Sequence, residues 1–182
     1  MERQQNIYDL LGEKAIRKKG IIKERVVTDE VDIGQHLSEF PCFGVLFSAH
    51  WCPPCKGLLI NLKKFHQEVN FRKYFSDDSE DEKEDEEQIT GVTYKNFELV
   101  YIYMDNSKEQ YKEHMIDIGN WLAIPFGDPR VGALKQKYEI VSIPQLVIFD
   151  SRTGKIIKNN ARNEVFLKGH KAFNDWKKLI TI

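Results

Sequence analysis

An α/β fold, with a central mixed β-sheet flanked by helices, is what this 182-residue sequence predicts. Three observations carry it. Two strand-length runs, Phe43-Gly-Val-Leu-Phe-Ser48 and Phe97-Glu-Leu-Val-Tyr-Ile-Tyr-Met104, are rich in apolar and β-forming residues and lie far apart in the chain. A third run, Leu146-Val-Ile-Phe149, turns through Asp150-Ser-Arg-Thr-Gly154 into Lys155-Ile-Ile157, the pattern of a hairpin. Stretches with helical apolar spacing follow these strands, and strands alternating with helices imply a sheet covered by helices.

Residues 1–40 mix charged and apolar side chains and read as an extension packed on the domain formed by 41–182. Ile21-Ile-Lys-Glu-Arg-Val-Val27 suits an outer strand, and 31–37 a short helix or turn. The uninterrupted apolar run at 43–48 is that of a central strand buried on both faces. In the helix that follows, to about residue 71, Leu58, Leu59, Leu62, Phe65 and Val69 share one stripe, with Lys63, Lys64 and Gln67 opposite. Gly57 inside it costs about 1 kcal/mol relative to Ala, tolerable where a partner backbone approaches. Nine acids against one lysine at 77–87 cannot bury apolar area, so 76–93 reads as an acidic, mobile loop.

Asn106 or Ser107 suits the cap of a helix to about residue 118. Trp121-Leu-Ala-Ile-Pro-Phe126 reads as a loop with buried aromatics, and 130–137 as a short helix. A helix over 166–180, with Phe173, Trp176 and Ile180 at helical spacing, closes the chain.

A composition of 41% hydrophobic and 30% charged residues with a net charge of -1 suits a globular protein and argues against generic nucleic-acid binding. No stretch approaches the roughly 18 apolar residues of a membrane helix. Met1-Glu-Arg-Gln-Gln-Asn6 lacks the apolar core of a secretory signal. Three cysteines, Cys42, Cys52 and Cys55, do not make a secreted disulfide framework. A reducing, cytoplasmic setting is expected, with nuclear and ciliary locations also compatible.

The chemistry concentrates in Trp51-Cys-Pro-Pro-Cys55, where a strand hands over to a helix. Two thiols at i and i+3 can close and reopen as a disulfide. A helix start carries unpaired N–H groups and the positive dipole end, which favour a thiolate, the form that attacks disulfides. Cys52, nearer the loop, is the expected attacker, and Cys55, one turn in, the resolving thiol. Pro53 and Pro54 stiffen the loop. A metal site needs two more ligands, and Cys42 and five scattered histidines supply no second paired motif. An inert pair needs neither the prolines nor the tryptophan. No metal or flavin is implied, and the Cys52–Cys55 dithiol is itself the electron carrier. Val141-Ser-Ile-Pro-Gln145 precedes the third strand; on spacing alone Pro144 either starts that strand in trans or forms a cis bond that turns the chain beside the dithiol.

Phe47-Ser-Ala-His-Trp-Cys-Pro-Pro-Cys55, Trp121-Leu-Ala-Ile-Pro-Phe126 and Lys137-Tyr-Glu-Ile-Val-Ser-Ile-Pro144, in that order, resemble signature stretches of the thioredoxin superfamily, in its tryparedoxin and nucleoredoxin-like branch. Asp9-Leu-Leu-Gly12 and Phe173-Asn-Asp-Trp176 are also similar to nucleoredoxin-like proteins. The resemblance implies a thioredoxin-like fold, a cis bond at Pro144 and a protein-disulfide reductase. It implies a substrate surface of Trp51, Pro53, Pro54, Trp121, Ile143 and Pro144, with Arg162 at the place of a tryparedoxin arginine that contacts a low-molecular-weight dithiol. The chain departs from the pattern at Leu46, where thioredoxins carry a buried Asp that helps move the second cysteine's proton. Val141 replaces a tryparedoxin glutamate, Gln145 a common Thr, and the acidic insert is foreign to the family.

Other residues have two readings. His50 either stabilises a thiolate or is a strand-end residue. Cys42 either pairs with a partner or is a buried free thiol. Trp51 and Trp121 are core aromatics or a surface for partners. The acidic run is a solvated loop, a dock for a basic partner, or a counterpart to residues 151–182, with eight Lys or Arg against two acids. Expected partners are disulfide-containing client proteins and a thiol reductant or reductase for recycling, with neither nucleic acid nor membrane. The rival to reduction is a scaffold module in a larger, ciliary assembly with little redox turnover; an oxidant or isomerase of secreted proteins is a third reading.

Overall fold

A computed structural model describes residues 2–23, 25–73 and 92–180. Seven strands form one sheet: β1 (Lys14–Ile22), β2 (Arg25–Asp32), β3 (Cys42–Ser48), β4 (Phe97–Tyr103), β5 (Leu122–Ile124), β6 (Gln145–Asp150) and β7 (Ile156–Lys158). Their order is β2-β1-β5-β4-β3-β6-β7. β3 runs parallel to β4, and β4 to β5, while β1, β2, β6 and β7 pair antiparallel with their neighbours. The mixed sheet flanked by helices is as the sequence predicts.

Every residue of β3 and β4 is buried, because helices cover both faces. Cys42 and Leu46 join Leu99, Tyr101 and Tyr103 in one layer. That layer packs under α3 (Pro53–Asn70), α4 (Lys108–Asp117), α6 (Arg162–Lys168) and α7 (Ala172–Lys177). Phe43, Val45 and Phe47 face the other way with Val100 and Ile102. They meet α1 (Glu2–Leu11), α2 (Ile33–Leu37) and α5 (Arg130–Lys137). The stripe expected on α3 is the one it buries.

Four readings change. Residues 21–27 are not one outer strand but the turn and adjoining ends of the β1–β2 hairpin, with Lys23 at φ +46°. Residues 1–40 therefore supply two strands of the sheet itself. The segment 121–126, expected as a loop, contains β5, which bridges β4 and β1. The closing helix breaks at Gly169 (φ +55°) into α6, a single 3-10 turn and α7. Among the described residues no side chain and no backbone from outside α3 lies within 4 Å of a Cβ placed on Gly57, so no partner backbone approaches there. The acidic run at 77–87 lies outside the described residues.

Glu98 ties the N-terminal strands to the rest. It is 5% exposed; Arg17 of β1 donates to it at 3.1 Å, and His36 of α2 and His66 of α3 lie at 2.8 and 3.4 Å. Burial pushes its carboxyl up, but the hydrogen bonds from His36 and His66 and the charge on His66 outweigh this and hold it at about 2.

Gly57→Ala is expected to raise stability by about 1 kcal/mol in urea unfolding, since the added methyl meets nothing and the helix gains propensity. Because Glu98 is held below its ordinary 4.5, its contribution is complete above that pH and disappears as pH falls toward 2. The shift corresponds to roughly 3 kcal/mol, so acid unfolding of Glu98→Gln should show a correspondingly shallower dependence across this window.

Candidate active site

The dithiol occupies the turn between β3 and α3. Cys52 is the N-cap of α3, with φ -96° and ψ 108°, and its side chain caps no backbone N–H. Its carbonyl accepts from Cys55 N at 3.1 Å and Lys56 N at 3.2 Å. Pro53 and Pro54 fill the first two helical positions, where proline's fixed φ is already helical and its missing N–H costs no intrahelical bond. The same choice removes two of the free N–H groups a helix start would offer the sulfur. The dipole remains as the helix's contribution to the Cys52 environment.

Trp51 is 49% exposed and Pro53 and Pro54 are exposed, whereas Cys52 keeps 5% of its surface and Cys55 only 2%. Ala49, Cys52 and Cys55 make a small apolar cluster with Met104 and Ile143 packed against it. The Ile143–Pro144 bond is cis. The Cys52 thiol faces the Ile143 carbonyl at 3.9 Å, and Arg162 donates to the Pro144 carbonyl at 3.1 Å. The structure thus brings Trp51, Cys52, Pro53, Pro54, Cys55, Ile143, Pro144 and Arg162 to one end of the sheet. Arg162 there braces the proline loop. Val141, in the same loop, is 93% exposed.

Trp121 does not join them. It is 2% exposed and packed in the layer under α3, its ring edge-on to His66 with centroids 5.9 Å apart. It presents no surface to a substrate, because a ring this buried contributes packing only. His50 directs its ring at Glu113 and Asp117 of α4, at 3.5 and 3.7 Å. Cys42 is fully buried, its thiol 3.8 Å from the Asn96 carbonyl.

Burial pushes the Cys55 thiol up to about 11, and its hydrogen bond with the Cys52 sulfur adds to this, while the Ser48 hydroxyl and the Ala49 N–H pull the other way. Leu46, where thioredoxins place a carboxylate, is 1% exposed and part of the α3-side core. Sequence reasoning missed the polar groups behind Cys55: Ser48, Tyr101, Asp105 and His114. Tyr101 sits inside a strand pattern and His114 inside a highly polar helix sequence, so neither signals its burial. Among the described residues no group of three or more His, Cys, Asp or Glu side chains could hold a metal ion, and no helix is long and apolar enough to cross a membrane.

A thioredoxin-like fold with a vicinal dithiol at a helix tip beside a cis-proline defines a class of thiol–disulfide proteins. The chain belongs to the thioredoxin-like family, whose sequence model matches residues 42–156. It is 32% identical over 127 residues to probable nucleoredoxin 1 of Arabidopsis thaliana, covering 70% of this chain and 18% of that protein. It is 31% identical over 121 residues to tryparedoxin of Trypanosoma brucei brucei, covering 65% of this chain and 67% of the relative. The solved tryparedoxin from Trypanosoma brucei superposes with a TM-score of 0.67 at 25% identity, over 94% of this chain and 97% of that one. The chain spans about a fifth of the length of the nucleoredoxins it matches.

Native alkylation mapped by mass spectrometry should label Cys52 before Cys55 and leave Cys42 unmodified until the protein unfolds. Cys55 holds its proton until the pH approaches 11, so its labelling rate should still be climbing well above neutrality.

Proposed function

We propose that the protein reduces protein disulfides, with Cys52 attacking and Cys55 resolving. The observation that carries this is the placement of the Cys52 thiol: at the positive end of an 18-residue helix, unengaged by capping, and against the Ile143 carbonyl of the cis-proline loop. An extended client segment laid along that loop brings its disulfide onto Cys52. The Cys52 thiolate bonds to one client sulfur as the client S–S bond breaks, and the released client thiolate takes a proton. Cys55, deprotonated, then bonds to the Cys52 sulfur, and the second client sulfur leaves as a thiolate. The client gains two electrons and the protein is left with a Cys52–Cys55 disulfide, which a thiol reductant or a reductase returns to the dithiol.

Exposed Trp51, Pro53, Pro54 and Val141 give the client an apolar surface around the sulfur. Trp121, being buried, has no part in it. A reducing, cytoplasmic compartment fits this direction of electron flow. The scaffold alternative draws on Phe166 and Leu167 of α6, 65% and 80% exposed and remote in sequence from the dithiol.

Insulin reduction driven by excess dithiothreitol separates the readings. The wild type should accelerate it and Cys52→Ser should fall to the uncatalysed rate, while Cys55→Ser should accumulate mixed disulfides with client proteins. Equal rates for wild type and Cys52→Ser would overturn the reductase proposal and favour the scaffold.

A further inference from the structure

The thiol that must resolve the mixed disulfide is the one that burial keeps protonated, and the position that usually carries a carboxylate holds Leu46. Behind Cys55, however, lies a file of polar groups on β3, β4 and α4. The Ser48 hydroxyl is buried, lies two register positions along the β3–β4 pair from Tyr101, favours the ionised forms of both the Cys55 thiol and the Tyr101 hydroxyl, and closes a hydrogen bond with neither. The Tyr101 hydroxyl lies 2.6 Å from His114 Nε2, and His114 Nδ1 lies 3.0 Å from Asp105 Oδ2. Asp105 Oδ1 also accepts from the His50 backbone N–H at 2.8 Å.

Ser48, Tyr101 and His114 are all within 3% of full burial, and the Asp105 carboxylate is fully enclosed. Polar groups buried this deeply cost stability unless they are paired; the file is paired from Tyr101 through His114 to Asp105, and Ser48 is its unpaired member. Its polarity is uniform. Asp105 accepts from Nδ1, which fixes the His114 tautomer and leaves the Nε2 lone pair facing Tyr101; the Tyr101 O–H therefore donates to it. Ser48 stands between a thiol with a proton to lose and a phenol whose own proton already points away.

We propose that Ser48, Tyr101 and His114, backed by Asp105, form a proton relay that deprotonates Cys55 as it resolves the mixed disulfide, a step that exists only if the protein reduces disulfides as proposed. The Cys55 S–H proton passes to the Ser48 oxygen, the Ser48 proton to the Tyr101 oxygen, and the Tyr101 proton to His114 Nε2. Each hydroxyl ends neutral, Cys55 becomes a thiolate, and His114 becomes an imidazolium paired with the Asp105 carboxylate. The thiolate then attacks Cys52, and the departing client thiolate carries the negative charge to solvent.

The other groups around His114 suit a proton that is held briefly and then released. His50, partly exposed, places its ring 5.7 Å from that of His114 and sits beside Glu113 and Asp117, an outlet toward solvent. Tyr103 packs edge-on to His114 at 5.5 Å but spends its hydroxyl on the Met115 sulfur, so it does not compete for the imidazole. Tyr111, the remaining titratable ring nearby, packs against Tyr103. In this relay Ser48 takes the proton from the reacting thiol and is the catalytic member; Tyr101, His114 and Asp105 act through it.

Rapid mixing of the reduced protein with a chromogenic aryl disulfide reads both steps, since Cys52 attack releases one aryl thiol and Cys55 resolution a second. Tyr101→Phe and Ser48→Ala should each slow the second release about a hundredfold relative to the first at neutral pH, as expected for loss of general-base assistance. The deficit should shrink as pH rises and hydroxide takes over deprotonation of Cys55. In the wild type, the second release alone should show a solvent deuterium isotope effect, a measurement independent of how well either variant folds. A second release with the wild-type pH profile in both variants, or one without an isotope effect, would overturn the relay and leave the reductase proposal standing. No first release from the wild type would overturn both.

Discussion

The parallel register of β3 against β4 fixes where every group of the site falls. Leu46 pairs with Tyr101 and Ser48 with Tyr103, and the pairing carries on past the strand end through Met104 N to the Ser48 carbonyl at 2.8 Å. Side chains alternate faces along each strand, so a slip of β3 by one residue would turn Ser48 away from α3 while Tyr101 stayed. The same slip would send Leu46 out of the α3-side core. The apolar majority of both strands therefore enforces the position of the few polar residues among them. Burial of Phe43, Val45 and Phe47 on the opposite face opposes the slip from the other side.

That register also determines how unlike the two cysteines are. β3 ends at Ser48, three residues of turn follow, and α3 begins immediately after Cys52. The first thiol therefore lies on the rim of the helix end, between exposed Trp51 and exposed prolines, while the second is carried one turn down into the α3-side layer. Chemistry follows from this difference in depth. Under the reduction proposed above, the sulfur at the rim is the one that meets clients, and the sulfur inside the layer meets only Cys52 and the protein's own polar groups. The burial that keeps Cys55 a thiol also prevents it from being spent on passing disulfides.

Much of this was legible in the sequence because β3, β4, β6 and α3 bury clear apolar runs or stripes. The dithiol at a strand-to-helix junction and the residues of the cis-proline loop were legible for the same reason, being contiguous motifs. β1 and β2 were not: they lie at one side of the sheet, largely exposed, and their alternation of Lys, Arg, Asp and Glu with a few apolar residues hides the strand period. β5 has only three residues, too short to show any period, and is a strand because β1 and β4 both offer it hydrogen bonds. Gly169 looked harmless inside an apolar helical pattern, but its positive φ ends α6. Trp121 looked like a surface partner of Trp51 because sequence proximity to a signature stretch says nothing about which side of a sheet a ring enters. Asp105 and His114 lie 50 or more positions from the dithiol motif, and only the three-dimensional course of β4 and α4 brings them behind it.

Leu46 and the polar file behind Cys55 can be understood together. A carboxylate at position 46 would sit under α3 in a layer otherwise made of Leu58, Leu59, Leu62 and Phe65, where an unpaired charge is costly. Leucine there adds to the packing that seats α3, and with it the helix end on which Cys52 stands. In the proposed relay the proton acceptor is instead His114 on α4, backed by the Asp105 carboxylate, whose charge the His50 N–H and His114 already satisfy. Distance is the cost of that arrangement, since the acceptor no longer touches the thiol. Hydroxyls at Ser48 and Tyr101 span the gap, and they can do so only because the β3–β4 register keeps both on the face that α3 covers.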